Sequence, residues 1–259
     1  MEIPPHSKKQ DDIIFYLYQF RYLLIKQLIK LFEHKDKKRL QIALNDLVSK
    51  KFITYIEDKE IADGYIYCLD TKARYILKEE SSKEDSNIDE DFLDRLYKEK
   101  TKEVPFIKRN LFIADIFLFF LSRKTKGQVL NFFTKQELGS CEYFPDPLPT
   151  AYIEEIDGAD TNRYFLDYYD DYTPHKVITE RVTYYLNYCK GGDWQANTNN
   201  APFPTILFVL PSDKRKYHIK MFSQAILTKN IGDDIDLFLT TKREIRTGQV
   251  NWEEIRPEE

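Results

Sequence analysis

Residues 163–171 read Arg-Tyr-Phe-Leu-Asp-Tyr-Tyr-Asp-Asp, and the fold of the second half of the chain turns on them. The run from Arg163 to Tyr169 is aromatic and apolar enough for a strand, and it carries one carboxylate, Asp167, with Asp170 and Asp171 beyond its end. Just upstream lie Pro145-Asp146-Pro147-Leu148-Pro149 and a further strand candidate, Ala151 to Ile156. Before these, Phe106 to Arg123 reads as a helix, and Val129 to Leu138 contains a strand ending near Glu137. Downstream, Ile178, Val182, Tyr185, Leu186 and Cys189 recur at helical spacing within 176–190, an amphipathic helix that should pack on a sheet. Thr205 to Leu210 is an apolar run bounded by prolines, as a central strand would be. A helix over 218–228 and a last strand over 235–240 complete an α/β domain over 106–259.

The first eighty residues have a different chemistry. Asp11 and Asp12 open a helical pattern to Phe20, Leu23 to Phe32 gives a second helix, and a third follows Asp36, a suitable N-cap, burying Leu40, Ala43, Leu44, Leu47 and Val48. Phe52 to Ile56 and Tyr65 to Leu69 flank Asp63-Gly64 and read as a hairpin with a long loop. Thr71 to Glu80 closes the segment as a helix. Three helices, a hairpin and a helix describe a winged helix-turn-helix over residues 1–80, and the mixed-charge stretch 81–105 reads as a linker.

The formal charge of −4 hides an asymmetry. Between Lys8 and Lys51 eleven cations face five acids, as a phosphate-facing surface would require. The polar face of the third helix carries Lys37, Lys38, Arg39, Gln41 and Asn45: cations for phosphate and amides able to pair with adenine in the major groove. An ordinary solvated helix face accounts for the same residues, and a winged helix also binds protein. The wing sequence Glu57-Asp58-Lys59-Glu60 is acidic, which argues against its entering a groove.

An apolar fraction of 42% with 32% charged residues is that of a folded protein. Cys68, Cys141 and Cys189 form no CxxC or Cys/His pair, and the four histidines show no ligand spacing, so neither a disulfide framework nor a zinc site is expected. The start Met-Glu-Ile-Pro-Pro-His lacks a basic region followed by an apolar stretch, and the longest apolar run, Leu111 to Leu121, is too short to span a membrane. The cytoplasm is the expected location.

The Asp-bearing strand and the Pro-Asp turn invite comparison with restriction-type nucleases, in which two carboxylates hold a divalent metal and a lysine two residues beyond the second supports the attacking water. Asp146 and Asp167 are the candidate metal carboxylates, with Glu137 upstream as a further catalytic candidate. Tyr169 occupies the lysine position. Lys176 or Arg181 of the following helix could replace it. The cofactor expectation is therefore none, or Mg²⁺/Mn²⁺ if the domain is active. A rigid Pro-rich turn and a solvated strand end are the plain alternative.

On these residues the chain resembles the replication-relaxation family of plasmid and mobile-element proteins, which join an amino-terminal winged helix to a domain related to the PD-(D/E)xK nucleases. The likeness lies in Tyr22–Phe32, Leu47–Ile53 and Tyr67–Leu77, then in Pro145-Asp146, the Phe165-Leu166-Asp167 strand and the helix bearing Lys176, Arg181 and Tyr185. Where the family shows Glu-x-Asp, this chain has Asp167-Tyr168-Tyr169. The resemblance implies binding of double-stranded DNA in replication, mobilisation or transcription control, by an accessory protein with a degenerate nuclease-like domain. A metal-dependent endonuclease and a protein-interaction module are the alternatives. A homodimer and replication or mobilisation proteins are further partners to consider.

Overall fold

A computed structural model describes residues 7–33, 36–81, 88–139, 142–229 and 235–257. The chain divides into two compact units, Met1–Leu118 and Phe119–Glu259.

In the first unit, α1 (Lys8–Phe20) starts with a capping box: the Ser7 amide donates to Gln10 Oε1 at 2.9 Å. Its inward face is Ile13, Ile14, Leu17 and Phe20. The second expected helix begins later than its periodicity suggests. Leu23–Leu24 form a short strand, β1, and α2 covers Ile25–Leu31. The two leucines pair with Tyr67 and Ile66 of the hairpin, so β1 becomes a sheet edge. Helix α3 (Lys37–Ser49) is capped by Asp36, which accepts from the amides of Lys38 and Arg39, and it buries Leu40, Leu44 and Leu47. Strands β2 (Ile53–Glu57) and β3 (Tyr65–Leu69) pair antiparallel, giving the order β1-β3-β2, and α4 covers Ala73–Ser81.

The segment expected as a linker is corrected by the structure. Residues 82–87 lie outside the described residues, but α5 (Glu90–Leu93) and a 3₁₀ turn (Leu96–Thr101) bury Phe92, Leu93 and Leu96 within the first unit. The side chain that anchors this stretch is Glu99, only 2% exposed, which accepts from Arg21 Nε at 3.0 Å and Nη2 at 2.5 Å, while its carbonyl accepts from Tyr22 Oη. Arg21 itself has φ 65 and ψ −41, with the Tyr22 amide bonded back to the Phe20 carbonyl at 2.7 Å. Such a γ-turn costs roughly 1–3 kcal/mol and persists where packing over-determines it. Here the guanidinium is held between the Phe92 and Phe106 rings as well as on Glu99. A mixed-charge composition read as linker because this pairing partner is remote in sequence.

Helix α6 (Val104–Arg123) supplies residues to both units. In the first, Asp115 is a partnered carboxylate: Gln27 Nε2 donates to it at 2.7 Å and to the Leu111 carbonyl at 2.8 Å.

The second unit is a six-stranded mixed sheet of order β4-β5-β6-β7-β8-β9. Strands β4 (Val129–Thr134), β5 (Ala151–Asp157) and β6 (Asp160–Tyr168) run antiparallel; β7 (Thr205–Leu210) and β8 (Leu237–Thr241) continue parallel to β6, and β9 (Glu253–Glu254) closes the edge. The β5–β6 turn has two residues, with Gly158 at φ 61, the left-handed conformation a tight hairpin favours. Each parallel step needs a crossover, and α8 (His175–Gly191) and α10 (Asp213–Lys229) provide them. Strand β7 is buried from Ile206 to Leu210, which is why it reads as a continuous apolar run.

Between α8 and the sheet sits an aromatic core of Phe144, Tyr152, Phe165 and Trp194, with ring centroids 5.2–5.9 Å apart. Contacts of this kind add about 0.5–1.5 kcal/mol each beyond their buried area. Trp194, from the short helix α9 (Asp193–Asn197), is a core residue, 1% exposed, and donates to the Pro202 carbonyl at 3.0 Å.

Candidate active site and basic helix

Asp167 is the most constrained carboxylate of the second unit. Strand β6 places it opposite Phe208 of β7, at 6% exposure, and the turn into β5 brings Thr150 against it. Its Oδ1 accepts from the Thr150 amide at 3.0 Å and faces the Thr150 hydroxyl at 3.4 Å. Its Oδ2 accepts from Arg181 Nε at 2.8 Å and from the Tyr185 hydroxyl at 2.9 Å. Arg181 and Tyr185 stand four residues apart on the inward face of α8, and Arg181 Nη2 donates to Tyr185 Oη at 2.8 Å. The Arg181 Nη1 atom is buried with no hydrogen-bond partner among the described residues. Burial works against the guanidinium charge, but Asp167 beside it outweighs that and holds its pKa above the usual value. Burial, then the Asp167 charge, push the Tyr185 phenol well up, so it stays a donor.

Asp146 lies exposed on the turn between Pro145 and Pro147, and its amide donates to the Tyr184 hydroxyl at 2.8 Å. The Arg181 guanidinium faces the rings of Tyr184 at 5.1 Å and Tyr185 at 4.3 Å. Three residues of one helix, at 181, 184 and 185, thus hold both the Pro-Asp turn and the strand carboxylate.

The other candidate residues are not brought to this place. Glu137 belongs to no strand: β4 ends at Thr134, and Glu137 is in the single-turn helix α7 (Lys135–Leu138), where its Oε2 accepts from the Thr134 amide at 2.8 Å. Thr-Lys-Gln-Glu is a capping box, a signal that was legible in the sequence and outweighs strand propensity here. Lys176 points to solvent, its side chain 83% exposed and 3.5 Å from Glu180. It sits in the first turn of α8, five residues before Arg181, on a different face. Tyr169 replaces the lysine with a buried ring edge-on to Phe208 at 5.2 Å. Thr150 carried no sequence signal, since only the fold sets it against Asp167.

A Mg²⁺ or Mn²⁺ ion takes carboxylate oxygens in a near-octahedral arrangement. Both oxygens of Asp167 already face donors, one of them a guanidinium, and Glu137 is committed to its cap. Among the described residues no three His, Cys, Asp or Glu side chains gather to hold a metal. In this arrangement the Asp167 carboxylate is paired with Arg181, and Glu137 is held apart from it in its own cap.

In the first unit, Lys37, Lys38 and Arg39 are exposed at the start of α3, Arg39 with a solvated contact to Asp36 at 3.4 Å. Gln41 is half-buried: its Nε2 donates to Asn45 Oδ1 at 3.0 Å and to Tyr67 Oη at 3.1 Å. The exposed Asn45 and Ile42, the latter at 67%, lie on the same side. Beside Tyr67 the hairpin carries Tyr55 and Tyr65, with ring centroids 4.2 Å apart.

Comparison with family models and with curated proteins gives no match. Among solved structures, that of the restriction endonuclease FokI is similar at a TM-score of 0.31 and 14% identity, over 93% of this chain and 45% of that one. The chain thus spans less than half the length of that protein. The class that the fold defines is α+β with a mixed six-stranded sheet. Among the described residues no helix is long and apolar enough to cross a membrane.

Proposed function

We propose that this chain binds double-stranded DNA through α3 and that its second unit is a nuclease-type scaffold that does not cut. In this reading the first unit is a winged helix-turn-helix, and the chain is an accessory or regulatory protein of the replication-relaxation type. The observation that carries the binding half is α3 itself: one face buried on Leu40, Leu44 and Leu47, the other presenting Lys37, Lys38 and Arg39 to solvent. Cations so placed release counterions from phosphate, which makes affinity fall with salt. The non-cleaving half is supported by the Asp167 carboxylate, which Arg181 neutralises in place of a metal.

The test is a plasmid mobility assay with purified protein, stepped through salt with and without Mg²⁺ or Mn²⁺. A salt-sensitive shift with intact plasmid is the expected result, with affinity and salt slope both reduced when Lys37, Lys38 and Arg39 become Ala. Unchanged affinity in that variant refutes the role of α3. A metal-dependent endonuclease is the second reading, favoured by α8 holding the Asp146 turn and Asp167 together. Nicking that needs metal and disappears in Asp167→Ala would establish it instead.

A further inference from the structure

We infer that α3 reads A·T base pairs in the major groove, with Asn45 contacting adenine and Ile42 the C5-methyl group of thymine. The inference rests on the DNA-binding reading above and adds to it which bases are read and by which atoms.

Positions 38, 41, 42 and 45 form one patch of the helix surface, being three or four residues apart. The two amides in that patch are not equivalent. Gln41 spends both Nε2 hydrogens, one on Asn45 Oδ1 and one on Tyr67 Oη, and Tyr67 is 2% exposed on the hairpin. Adenine recognition requires one side-chain amide to donate to N7 and accept from N6 at once. Gln41 can no longer donate. Asn45 retains its Nδ2 hydrogens and the second Oδ1 lone pair, and Gln41 fixes the direction in which they point.

Ile42 is the second observation. It is 67% exposed on a helix that buries its leucines completely, and it sits one turn beyond Lys38 and one turn before Asn45. An aliphatic side chain between a cation and an amide suits the edge of an A·T pair, whose thymine carries the groove's methyl group. Charge complementarity selects DNA as the occupant, since Lys37, Lys38 and Arg39 flank the patch. Asp36 and Asp46 are held by the α3 cap and by Lys50 and Gln10.

The experiment measures binding of the full chain to poly(dA-dT), poly(dA-dU) and poly(dG-dC) duplexes by fluorescence anisotropy at fixed salt. Wild type should prefer poly(dA-dT) to poly(dG-dC) roughly fortyfold, about tenfold from one bidentate amide contact and about fourfold from the thymine methyl group. Replacing thymine by uracil should weaken binding about fourfold, the value of burying one methyl group. Ile42→Ala should bind poly(dA-dT) and poly(dA-dU) alike, which separates the methyl contact from any difference in duplex shape. Asn45→Ala should reduce the preference over poly(dG-dC) to the roughly fourfold that the Ile42–methyl contact supplies, and Gln41→Ala should add nothing once Asn45 is gone. These side chains are exposed or half-exposed, and thermal unfolding checks that each variant folds. Equal, salt-sensitive binding to all three duplexes overturns the base reading while leaving DNA binding intact. Absence of binding to any duplex overturns both.

Discussion

Arg181→Met removes the cation from Asp167 while keeping much of the aliphatic volume, and it gives the sharpest test of the site. The pair is 2.8 Å apart with both side chains 8% exposed. In an interior of effective dielectric about 20, charges at that distance attract by roughly 6 kcal/mol, much of which offsets the desolvation of both ions. Removing one partner leaves the other buried and uncompensated, at a cost of about 3–5 kcal/mol. The Arg181 substitution also takes a donor from Tyr185 Oη, so it should lie at the upper end. Asp167→Asn should cost a similar amount, since the Thr150 amide keeps an acceptor but the guanidinium loses its counter-charge. The double variant should cost less than the sum of the singles by about 2–3 kcal/mol, because the second change removes an orphan left by the first. Urea unfolding of the four proteins measures this coupling, and a loss of about 4 kcal/mol should appear as roughly 8–16 °C in melting temperature. Additive effects below about 1 kcal/mol each would refute the account of Asp167 as a carboxylate committed to Arg181. Stabilisation of wild type by millimolar Mn²⁺ that vanishes in Asp167→Asn would refute it independently.

Three further outcomes follow from the geometry. Glu137→Ala should lower stability by roughly 0.5–2 kcal/mol through loss of the Thr134 cap, whereas Lys176→Ala should stay within about 0.5 kcal/mol; equal effects in urea unfolding would contradict their placement. The Cys68 thiol is pushed up to about 12 by burial and then by the Glu99 charge, so iodoacetamide at about pH 8 should label the partly exposed Cys189 and spare Cys68, as peptide mass mapping would show. Glu244, raised by burial but lowered further by Thr241 and Lys216, and Glu253, lowered by hydrogen bonding to Lys220, are both held below the ordinary glutamate value in the folded state. Their contribution is present above that value and lost as pH falls through the depressed folded values, and Lys216→Met should flatten this acid limb of the urea midpoint. An unchanged acid limb would count against the cluster.

Most of the elements of this chain were legible in its sequence because the signals are local. Apolar spacing placed α8, the bounded run placed β7, and Asp36 announced the start of α3. Local signals misled where a rival local rule won, as at Glu137, where a cap took a residue assigned to a strand end. The candidate site was legible as residue types, Asp146, Asp167 and an arginine on the following helix, but not as a chemical state. What Asp167 does depends on Arg181 fourteen positions away and on Thr150, which no pattern singles out. Likewise Glu99 reaches Arg21 across 78 positions and turns an apparent linker into packed structure, and Tyr67 claims Gln41 across 26. Periodicity and capping are properties of neighbours along the chain, so the sequence alone determined most of the helices and strands and the faces they bury, but not every boundary, as α2 and Glu137 show. Partner choice for a buried charge or amide is a property of neighbours in space, and only the packing of α8 on the sheet and of α3 beside the hairpin decided it.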